Sequence, residues 1–117
     1  EARVTLLDLP EVVAKHVVPG ELANRLELIG TDLQQAWGEA PRRGSDAVVF
    51  ARVLHDFDDA GALQLLEKAW EVLKPQGRVF IIEFLLPEDS YAGGLCDVHL
   101  LAVTGGRERT RPELESL

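Results

Sequence analysis

The chain has 117 residues, enough for one domain with a modest core, and its 46% hydrophobic and 27% charged residues are globular values that exclude a disordered tail. The formal net charge of −8 argues against a nucleic-acid backbone or an anionic membrane as partner. The single cysteine, Cys96, excludes an internal disulfide and favours a reducing, cytoplasmic compartment, and no apolar segment approaches the ~18 residues of a membrane span.

The first part of the chain alternates short apolar segments with turn signals. Residues 4–9 are apolar and β-branched, which predicts a buried strand. Pro10 favours a helix start, and we expect a short helix as far as about Val18, ended by Pro19-Gly20. Residues 26–29 predict a second strand, and residues 34–44 predict a loop with room for one helical turn.

The second part carries the strongest secondary-structure signals. Residues 46–53 predict a third strand, and residues 58–73 predict a helix with one apolar stripe. Breakers at 74–77 end that helix, residues 78–86 predict a fourth strand, and residues 87–94 predict a loop. Residues 95–103 predict another helix, and Thr110-x-x-Glu113 is a capping box for the last one. The members of the stripe are Ala62, Leu65, Leu66, Ala69, Trp70 and Leu73.

Polar side chains follow the predicted strands where each strand ends. The alternation of strands and helices predicts an α/β fold with a mainly parallel sheet, so these strand ends share one edge. A carboxylate there can accept both ribose hydroxyls of a nucleoside. A simpler interpretation is that the aspartates only cap the following helices. The residues concerned are Asp8, Asp32, His55 and Asp56, with Glu83 inside the fourth strand.

Several strings resemble one family. They are Asp8-Leu9-Pro10-Glu11-Val12-Val13, Gly30-Thr31-Asp32-Leu33, Val53-Leu54-His55-Asp56-Phe57-Asp58-Asp59, Lys74-Pro75-Gln76-Gly77-Arg78 and Thr104-Gly105-Gly106-Arg107-Glu108-Arg109-Thr110. Together they resemble the S-adenosylmethionine-dependent O-methyltransferases of the plant caffeate and bacterial polyketide-tailoring type, across essentially all 117 residues. The resemblance implies a partial Rossmann-like class I methyltransferase sheet that lacks its first strand and its last strands.

The resemblance also implies a reaction and a role for particular residues. It implies methyl transfer from S-adenosylmethionine to a hydroxyl of a small aromatic or polyketide-like metabolite, with no metal. His55 would be the general base, flanked and oriented by Glu83 and Glu108. Residues implied to bind the cofactor are Asp8 at the ribose, with Asp32 and Leu33 at the adenine; those implied to contact the acceptor are Asp56, Asp97, Val98 and Leu101.

The residue types suit this chemistry. Methyl transfer from a sulfonium is a displacement that needs an oxygen nucleophile in line with the methyl carbon. A phenol of pKa about 10 is a poor nucleophile until a base accepts its proton. A histidine held by a carboxylate serves, because the carboxylate sets the tautomer and stabilises the imidazolium.

The sequence departs from the family at several points. Ala51 stands where the family often has Lys or Arg against the cofactor. The glycine-rich cofactor loop and the N-terminal dimerisation domain that the family carries are not in the sequence. We therefore expect 1–117 to be a partial catalytic domain of a parent that is a homodimer. The piece alone is expected to bind cofactor weakly or not at all, and to self-associate through strand edges left open.

Three alternatives stay open. The chain could be a binding or scaffold module that keeps the cofactor fold without catalysis. It could be a nicotinamide oxidoreductase, although the residue four after Tyr91 is Leu95 where the short-chain class needs Lys. It could hold a metal through His55, Asp97 and His99, a two-histidine, one-carboxylate set.

Overall fold

The computed structural model describes residues 2–37, 44–88 and 93–117, which form two units, Glu1–Arg43 and Gly44–Leu117. The predicted loops over 34–44 and 87–94 lie partly outside the described residues, and Tyr91 lies wholly outside them. Within the described ranges, no helix has the length and apolar character that crossing a bilayer requires.

The first unit is one parallel strand pair with a helical turn. Strand β1 (Val4–Asp8) pairs in parallel with β2 (Leu26–Gly30), in a register that sets Asp8 opposite Gly30. Helix α1 (Pro10–Val13) lies between them in sequence. A Cβ on Gly30 would lie 2.8 Å from the Cα of Pro10, so the glycine permits α1 to pack closely on β2.

The prediction that this helix continues to Val18 is wrong. It ends at Val13, and Val17 is 90% exposed. The physical reason is local. Valines at four of the positions 12–18 are poor helix formers, and Pro19 biases the residue before it away from helical backbone.

The second unit contains the other strands and the longer helices. Strand β3 (Ser45–Ala51) pairs in parallel with β4 (Leu73–Ile82), and helix α2 (Asp59–Val72) connects them. Helices α3 (Gly94–Val103) and α4 (Arg111–Ser116) follow. Both strand pairs are thus parallel, and the predicted α/β class is confirmed.

The buried apolar side chains of this unit lie on α2, on β3 and in the short turn that follows β3. Its fully or almost fully buried apolar side chains are Phe50, Leu54, Ala62, Leu65 and Ala69. Three of these belong to the predicted stripe of α2, at the i, i+3, i+7 spacing of one helix face. Trp70, predicted on the same stripe, is instead 79% exposed.

The bounds of β4 differ from the prediction at both ends. The strand begins at Leu73, directly after α2, because Leu73 is already extended and lies opposite Ser45 with a shift of register before Arg78 pairs with Ala47. Residues 74–77 therefore fall within the bounds of β4, between Leu73 and the stretch that pairs from Arg78 onwards. The strand ends at Ile82, and beyond it Leu85 forms a parallel bridge with Arg109.

The starts of α2 and α4 follow their sequence signals. The side chain of Asp58 accepts a hydrogen bond from the Gly61 N–H and caps α2. The predicted capping box is confirmed at α4, where Thr110 and Glu113 bond each other's backbone N–H groups. In α3 the structure confirms a helix that begins one residue before the predicted start.

Candidate active site at the His55 turn

His55 lies in a short 3-10 turn just after β3. We call this turn, Leu54–Asp56, the His55 turn. Leu54 is fully buried and anchors the turn in the core, and His55 itself is only 9% exposed. The turn forms here because the apolar residues of β3 are followed by polar residues, and Asp58 then caps the start of α2. The imidazole is therefore held on a rigid support.

Three carboxylates surround the imidazole ring. Nδ1 lies 3.6 Å from Oε2 of Glu83 and 3.6 Å from Oε1 of Glu108, whose side chains are 4% and 3% exposed. On the other side of the ring, Nε2 lies 3.6 Å from Oδ1 of Asp56, which is partly exposed. Nδ1 is buried and has no hydrogen-bond partner within the part of the chain that the structure describes. Catalytic hydrogen bonds are often long before substrate binds, so this spacing fits a base whose ring is oriented from Nδ1.

Glu83 also organises the backbone of the turn. Its Oε1 accepts hydrogen bonds from the N–H groups of Val53 and Leu54, both at 3.0 Å. These are the donors that a helical turn leaves unpaired at its start, so Glu83 satisfies them as a cap would. The same carboxylate thus fixes the turn with one oxygen and faces the imidazole with the other.

Arg52 connects the two glutamates. Its Nη1 lies 3.3 Å from Glu83 Oε2, and its Nη2 lies 3.0 Å from Glu108 Oε1. The guanidinium also lies 4.3 Å from the centre of the Phe84 ring, within cation–π range. We call Arg52, His55, Glu83 and Glu108 the His55 cluster.

The backbone of Arg52 is in the left-handed region. Its φ is +55°, which costs a residue with a Cβ roughly 1–2 kcal/mol. The surrounding contacts hold it there, including its N–H bond to the carbonyl of Ile82 at 2.9 Å. Such strain is typical of functional sites, where the surrounding contacts offset the energetic cost of an unfavourable φ in order to position a side chain.

The segment between α3 and α4 brings Glu108 to the cluster. Asp97 of α3 accepts a hydrogen bond from the Glu108 N–H at 2.8 Å. Leu85 forms a parallel bridge with Arg109, and the Leu86 N–H donates to the Arg109 carbonyl at 3.0 Å. Asp97, implied by the resemblance to contact the acceptor, therefore positions the Glu108 backbone.

Arg109 is 3% exposed and hydrogen-bonds to backbone carbonyls in and next to the His55 turn. Its Nη1 donates to the carbonyl of Leu54 and its Nη2 to that of Phe57, each at 2.9 Å. Its Nε and Nη2 both bond Asp59 Oδ1, at 3.0 and 2.8 Å. Sequence reasoning missed both this residue and Arg52. Arg107, Arg109 and their interleaved glutamates have the pattern of a solvated face, and no nearby residue signals the burial of Arg109.

Gly106 allows the same segment to touch the turn. A Cβ there would lie 2.0 Å from the His55 carbonyl oxygen and 2.5 Å from the carbonyl carbon of Asp56. The next residue, Arg107, donates its N–H to that His55 oxygen at 2.9 Å. A side chain at position 106 cannot fit without moving the backbone that carries the imidazole.

The residues that the structure brings together as possible metal ligands differ from the predicted set of His55, Asp97 and His99. Within the described ranges, the ligand atoms that come within 4.8 Å of one another are those of His55, Glu83 and Glu108, and not the set with Asp97 and His99. The two carboxylates already bond the Arg52 guanidinium. In this structure the Arg52 side chain is a cation that bonds both carboxylates.

The residues implied for the cofactor belong to the unit Glu1–Arg43. Asp8 Oδ1 accepts from the Leu9 N–H at 2.7 Å, and Asp32 Oδ1 accepts from the Gln34 N–H at 2.9 Å. These are local contacts of the turn-forming kind, and each uses one of two carboxylate oxygens. The Leu33 carbonyl accepts from Trp37 Nε1 at 3.0 Å. The common cleft with His55, which belongs to the other unit, stays a prediction.

The remaining acceptor residues lie on α3. Val98 is 67% exposed and Leu101 is 65% exposed, so both apolar side chains face outward from the second unit. Large exposed apolar side chains on one helix are typical of a surface that another segment or a ligand covers. Their contact with an acceptor stays a prediction.

Relatives of this chain show where it belongs. The whole chain, residues 1–117, matches the O-methyltransferase domain family. The chain belongs to this family. The phenazine O-methyltransferase of Lysobacter antibioticus is 30% identical, over 100% of this chain and 35% of that protein. The mitomycin biosynthesis 6-O-methyltransferase of Streptomyces lavendulae is 33% identical, over 98% of this chain and 33% of that protein. The chain therefore spans about a third of the length of these O-methyltransferases.

Solved structures of O-methyltransferases share its fold. The mitomycin 7-O-methyltransferase superposes with a TM-score of 0.81 at 33% identity, over 97% of this chain and 34% of that one. Human N-acetylserotonin methyltransferase, in complex with SAM, gives 0.79 at 31% identity, over 97% and 33%. A protein described as a pericyclic reaction enzyme gives 0.79 at 25% identity, over 97% and 29%.

Proposed function

We propose that the intact protein containing this chain transfers a methyl group from S-adenosylmethionine to a hydroxyl of a small aromatic or polyketide-like metabolite, with His55 as the general base. The observation that carries the proposal is the His55 cluster. One ring nitrogen faces two buried carboxylates, and the other nitrogen lies on the side of the partly exposed Asp56. A base needs this asymmetry, since one nitrogen must be oriented while the other accepts the proton.

The residues have distinct parts in this reaction. Nδ1 of His55 faces Glu83 and Glu108, and Nε2 takes the proton from the acceptor hydroxyl as the oxygen attacks the methyl carbon. The two carboxylates stabilise the imidazolium that forms. Asp56 orients the acceptor beside Nε2, and Asp97, Val98 and Leu101 contribute to its pocket. When bound, S-adenosylmethionine supplies the activated methyl group; Asp8 would hold its ribose, and Asp32 and Leu33 its adenine.

The class of acceptor rests on the relatives. Their names describe a phenazine O-methyltransferase, a 6-O-methyltransferase of mitomycin biosynthesis and a 3-amino-4-hydroxybenzoate 4-O-methyltransferase. The same reaction on a hydroxylated aromatic acceptor suits a histidine base, because the imidazole can take the proton of a phenol as its oxygen attacks the methyl carbon. We propose that the activity belongs to the intact protein and that these 117 residues alone are inactive.

Substitution of His55 tests the proposal. We expect His55→Ala in the full-length protein to lower kcat for methyl transfer by roughly 100- to 10,000-fold, the usual loss for a general base. Transfer is measured with labelled S-adenosylmethionine over a panel of hydroxylated aromatic acceptors. The control is His16→Ala, which removes an exposed histidine of the other unit and should leave the rate unchanged. An equal rate in His55→Ala and the control would contradict the assignment.

A second candidate is catalysis without methyl transfer. The likeness to a pericyclic reaction enzyme favours it, since this fold serves a different reaction there. The two candidates give different products. Methyl transfer yields an acceptor that carries one added methyl group and releases S-adenosylhomocysteine, whereas a pericyclic reaction leaves the composition of the substrate unchanged. Mass spectrometry of the product separates them.

A further inference from the structure

The segment between α3 and α4 donates hydrogen bonds to three backbone carbonyls around His55. The Arg107 N–H bonds the His55 carbonyl at 2.9 Å. The Arg109 guanidinium bonds the carbonyls of Leu54 and Phe57, each at 2.9 Å. These two carbonyls belong to residues that precede and follow His55 in the chain. The guanidinium therefore spans the backbone that carries the imidazole.

Side chains of opposite charge hold the two ends of the His55 turn. At its start, Glu83 accepts hydrogen bonds from the N–H groups of Val53 and Leu54. Arg109 donates to the Leu54 carbonyl and, just past the end of the turn, to that of Phe57. A short turn leaves backbone groups without the partners that a longer helix supplies, and a buried carbonyl without a donor is costly. The geometry of the turn therefore depends on both side chains.

Asp59, in the first turn of α2, sets the direction of the Arg109 guanidinium. Its Oδ1 accepts hydrogen bonds from Nε and Nη2 of Arg109, at 3.0 and 2.8 Å. Arg109 is 3% exposed, and a buried charge needs such a partner. A guanidinium donates in fixed directions from a planar fork. Its contacts therefore fix the His55 turn relative to the start of α2.

We propose that Arg109 is a positioning residue for the methyl transfer proposed above, on which its catalytic meaning rests. Its guanidinium fixes the backbone on both sides of His55 and thereby places Nε2 for the proton of the acceptor hydroxyl. The side chain acts through the turn, since it bonds backbone carbonyls and Asp59. A displacement of about 1 Å at a catalytic group can cost about 100-fold in rate, so this hold on the backbone matters for catalysis.

The second unit has apolar anchors that do not depend on the guanidinium. Leu54 and Leu65 are fully buried, and Phe50 is 3% exposed. A lysine at position 109 keeps the positive charge and a long aliphatic stem, but its single ammonium cannot reproduce a fork that donates from three nitrogens. Arg109→Lys therefore separates the placing of the turn from the folding of the unit.

The first measurement is amide hydrogen exchange in the full-length protein, followed by mass spectrometry without any acceptor. We expect Arg109→Lys to speed exchange in the peptide that carries the His55 turn by about ten-fold or more, because the turn then opens locally while the unit stays folded. A peptide of β1 should exchange as in the wild type. The control Arg111→Lys changes an exposed arginine paired with Glu115 and should leave both peptides unchanged.

The second measurement is steady-state methyl transfer by the same protein. Arg109→Lys should lower kcat by roughly 10- to 100-fold while the KM of S-adenosylmethionine stays within about two-fold, because the change displaces the base and not the cofactor. Arg111→Lys should keep the wild-type kcat. A rise in that KM that accounts for the whole loss would overturn the proposal, since the damage would then extend beyond the turn. A lowered kcat with unchanged exchange would overturn it as well.

Asp59→Ala reaches the same guanidinium without changing Arg109. The Asp59 side chain is 59% exposed, and Arg107, 3.7 Å from it, keeps its bond to Glu113. We expect kcat to fall by about three- to ten-fold, and the double variant with Arg109→Lys to be no slower than Arg109→Lys alone, because both changes act through one set of contacts. Glu67→Ala, which removes an exposed carboxylate of the same helix, is the control and should change nothing. Losses that multiply in the double variant would overturn the proposal.

Exchange and kinetics together separate the role of Arg109 from the proposed function. If the wild-type protein transfers no methyl group to any acceptor, the proposed function fails, while exchange still decides whether Arg109 fixes the turn. If transfer occurs and folded Arg109→Lys keeps the wild-type kcat, the role of Arg109 fails alone. If Arg109→Lys loses its melting transition, Asp59→Ala decides by the same two readouts. Loss of the transition in both variants would overturn the role in favour of a purely structural ion pair.

Discussion

Gly106 lies against the backbone of the His55 turn, and its lack of a side chain sets the position of the imidazole. We expect Gly106→Ala to lower methyl transfer by the full-length protein severely, because the new Cβ would lie 2.0 Å from the His55 carbonyl oxygen and the backbone must move. A displacement of 1 Å at a catalytic group is enough to cost about 100-fold in rate. The assay is kcat with the best acceptor found.

The matched control for this change is Gly94→Ala. Gly94 is also in the second unit and begins α3, and a Cβ added there would have nothing within 4 Å. Alanine there should be neutral or slightly stabilising, as alanine is the better helix former. Similar rates in both alanine variants would show that the turn adapts to a side chain at 106.

At this scale the sequence predicts residue types better than it predicts partners. The family resemblance singles out His55, Glu83 and Glu108, and the structure places the two carboxylates beside the imidazole. It does not single out Arg52 and Arg109, because their partners lie 31 to 56 residues away in the chain. Sequence spacing carries no sign of such distant pairs, and Arg109, next to Glu108 in a charged segment, has the pattern of a solvated surface.

Helix α2 depends on a small number of buried side chains. We expect Leu65→Ala to destabilise the second unit by roughly 2–5 kcal/mol, since Leu65 is fully buried and its truncation leaves a cavity. Leu63→Ala is the matched control, because Leu63 lies on the same helix and is 42% exposed. The measurement is the free energy of unfolding from urea denaturation of the full-length protein. Equal effects of the two changes would mean that α2 packs by another face.

Helix α4 has an electrostatic cap that should respond to acid. Hydrogen bonding from the Thr110 backbone and side chain, together with Arg107, holds the pKa of Glu113 below its usual range. Because the folded pKa is lowered, the contribution of Glu113 to stability is fully present above the unfolded pKa and is lost as the pH falls through the folded value. We expect thermal melting to lose a small stabilisation in mildly to strongly acidic buffer.

Two variants isolate this cap. Glu113→Gln keeps a hydrogen-bonding side chain but no charge, so it should remove that part of the acid dependence, whereas Glu115→Gln should not. Thr110→Ala should cost about 0.5–2 kcal/mol at neutral pH through the lost cap. Identical melting curves for Glu113→Gln and Glu115→Gln at every pH would contradict the role given to Glu113.

The elements that the sequence predicts well are those whose signals are local. The caps of α2 and α4 and the apolar core positions Ala62, Leu65 and Ala69 depend on neighbours within one or two turns. The start of β4 depends instead on pairing with Ser45, almost thirty residues earlier, which no local breaker pattern reveals. The spacing of Trp70 along α2 predicts that it lies on the buried face, but the structure leaves it 79% exposed. Helical spacing predicts the direction of a side chain and not how far the core extends.

The second unit as a whole exposes much apolar surface. Leu95 is 91% exposed, Phe84 71% and Ile82 57%. In the described part of the chain each sheet has two strands, so every strand is an edge strand. Such edges and patches favour association between chains. We therefore expect the 117 residues, expressed alone, to self-associate in light scattering at micromolar concentration.

A charged substitution provides the comparison for this prediction. Ile82→Lys at the end of β4 should lower the association, since a lysine on a strand blunts edge-to-edge pairing. Glu115→Lys, at an already polar position of α4, should not. A monodisperse monomer of the unsubstituted 117 residues would contradict the prediction.

The hydrogen bond from Arg109 to the Leu54 carbonyl joins residues 55 positions apart, so it cannot form until late in translation of the chain. The stretch that carries His55 leaves the ribosome well before the arginine that fastens it from behind. Until Arg109 emerges, the carbonyls of Leu54 and Phe57 lack this donor. The His55 turn therefore gains its last hydrogen bonds late in synthesis, only after Arg109 has left the ribosome.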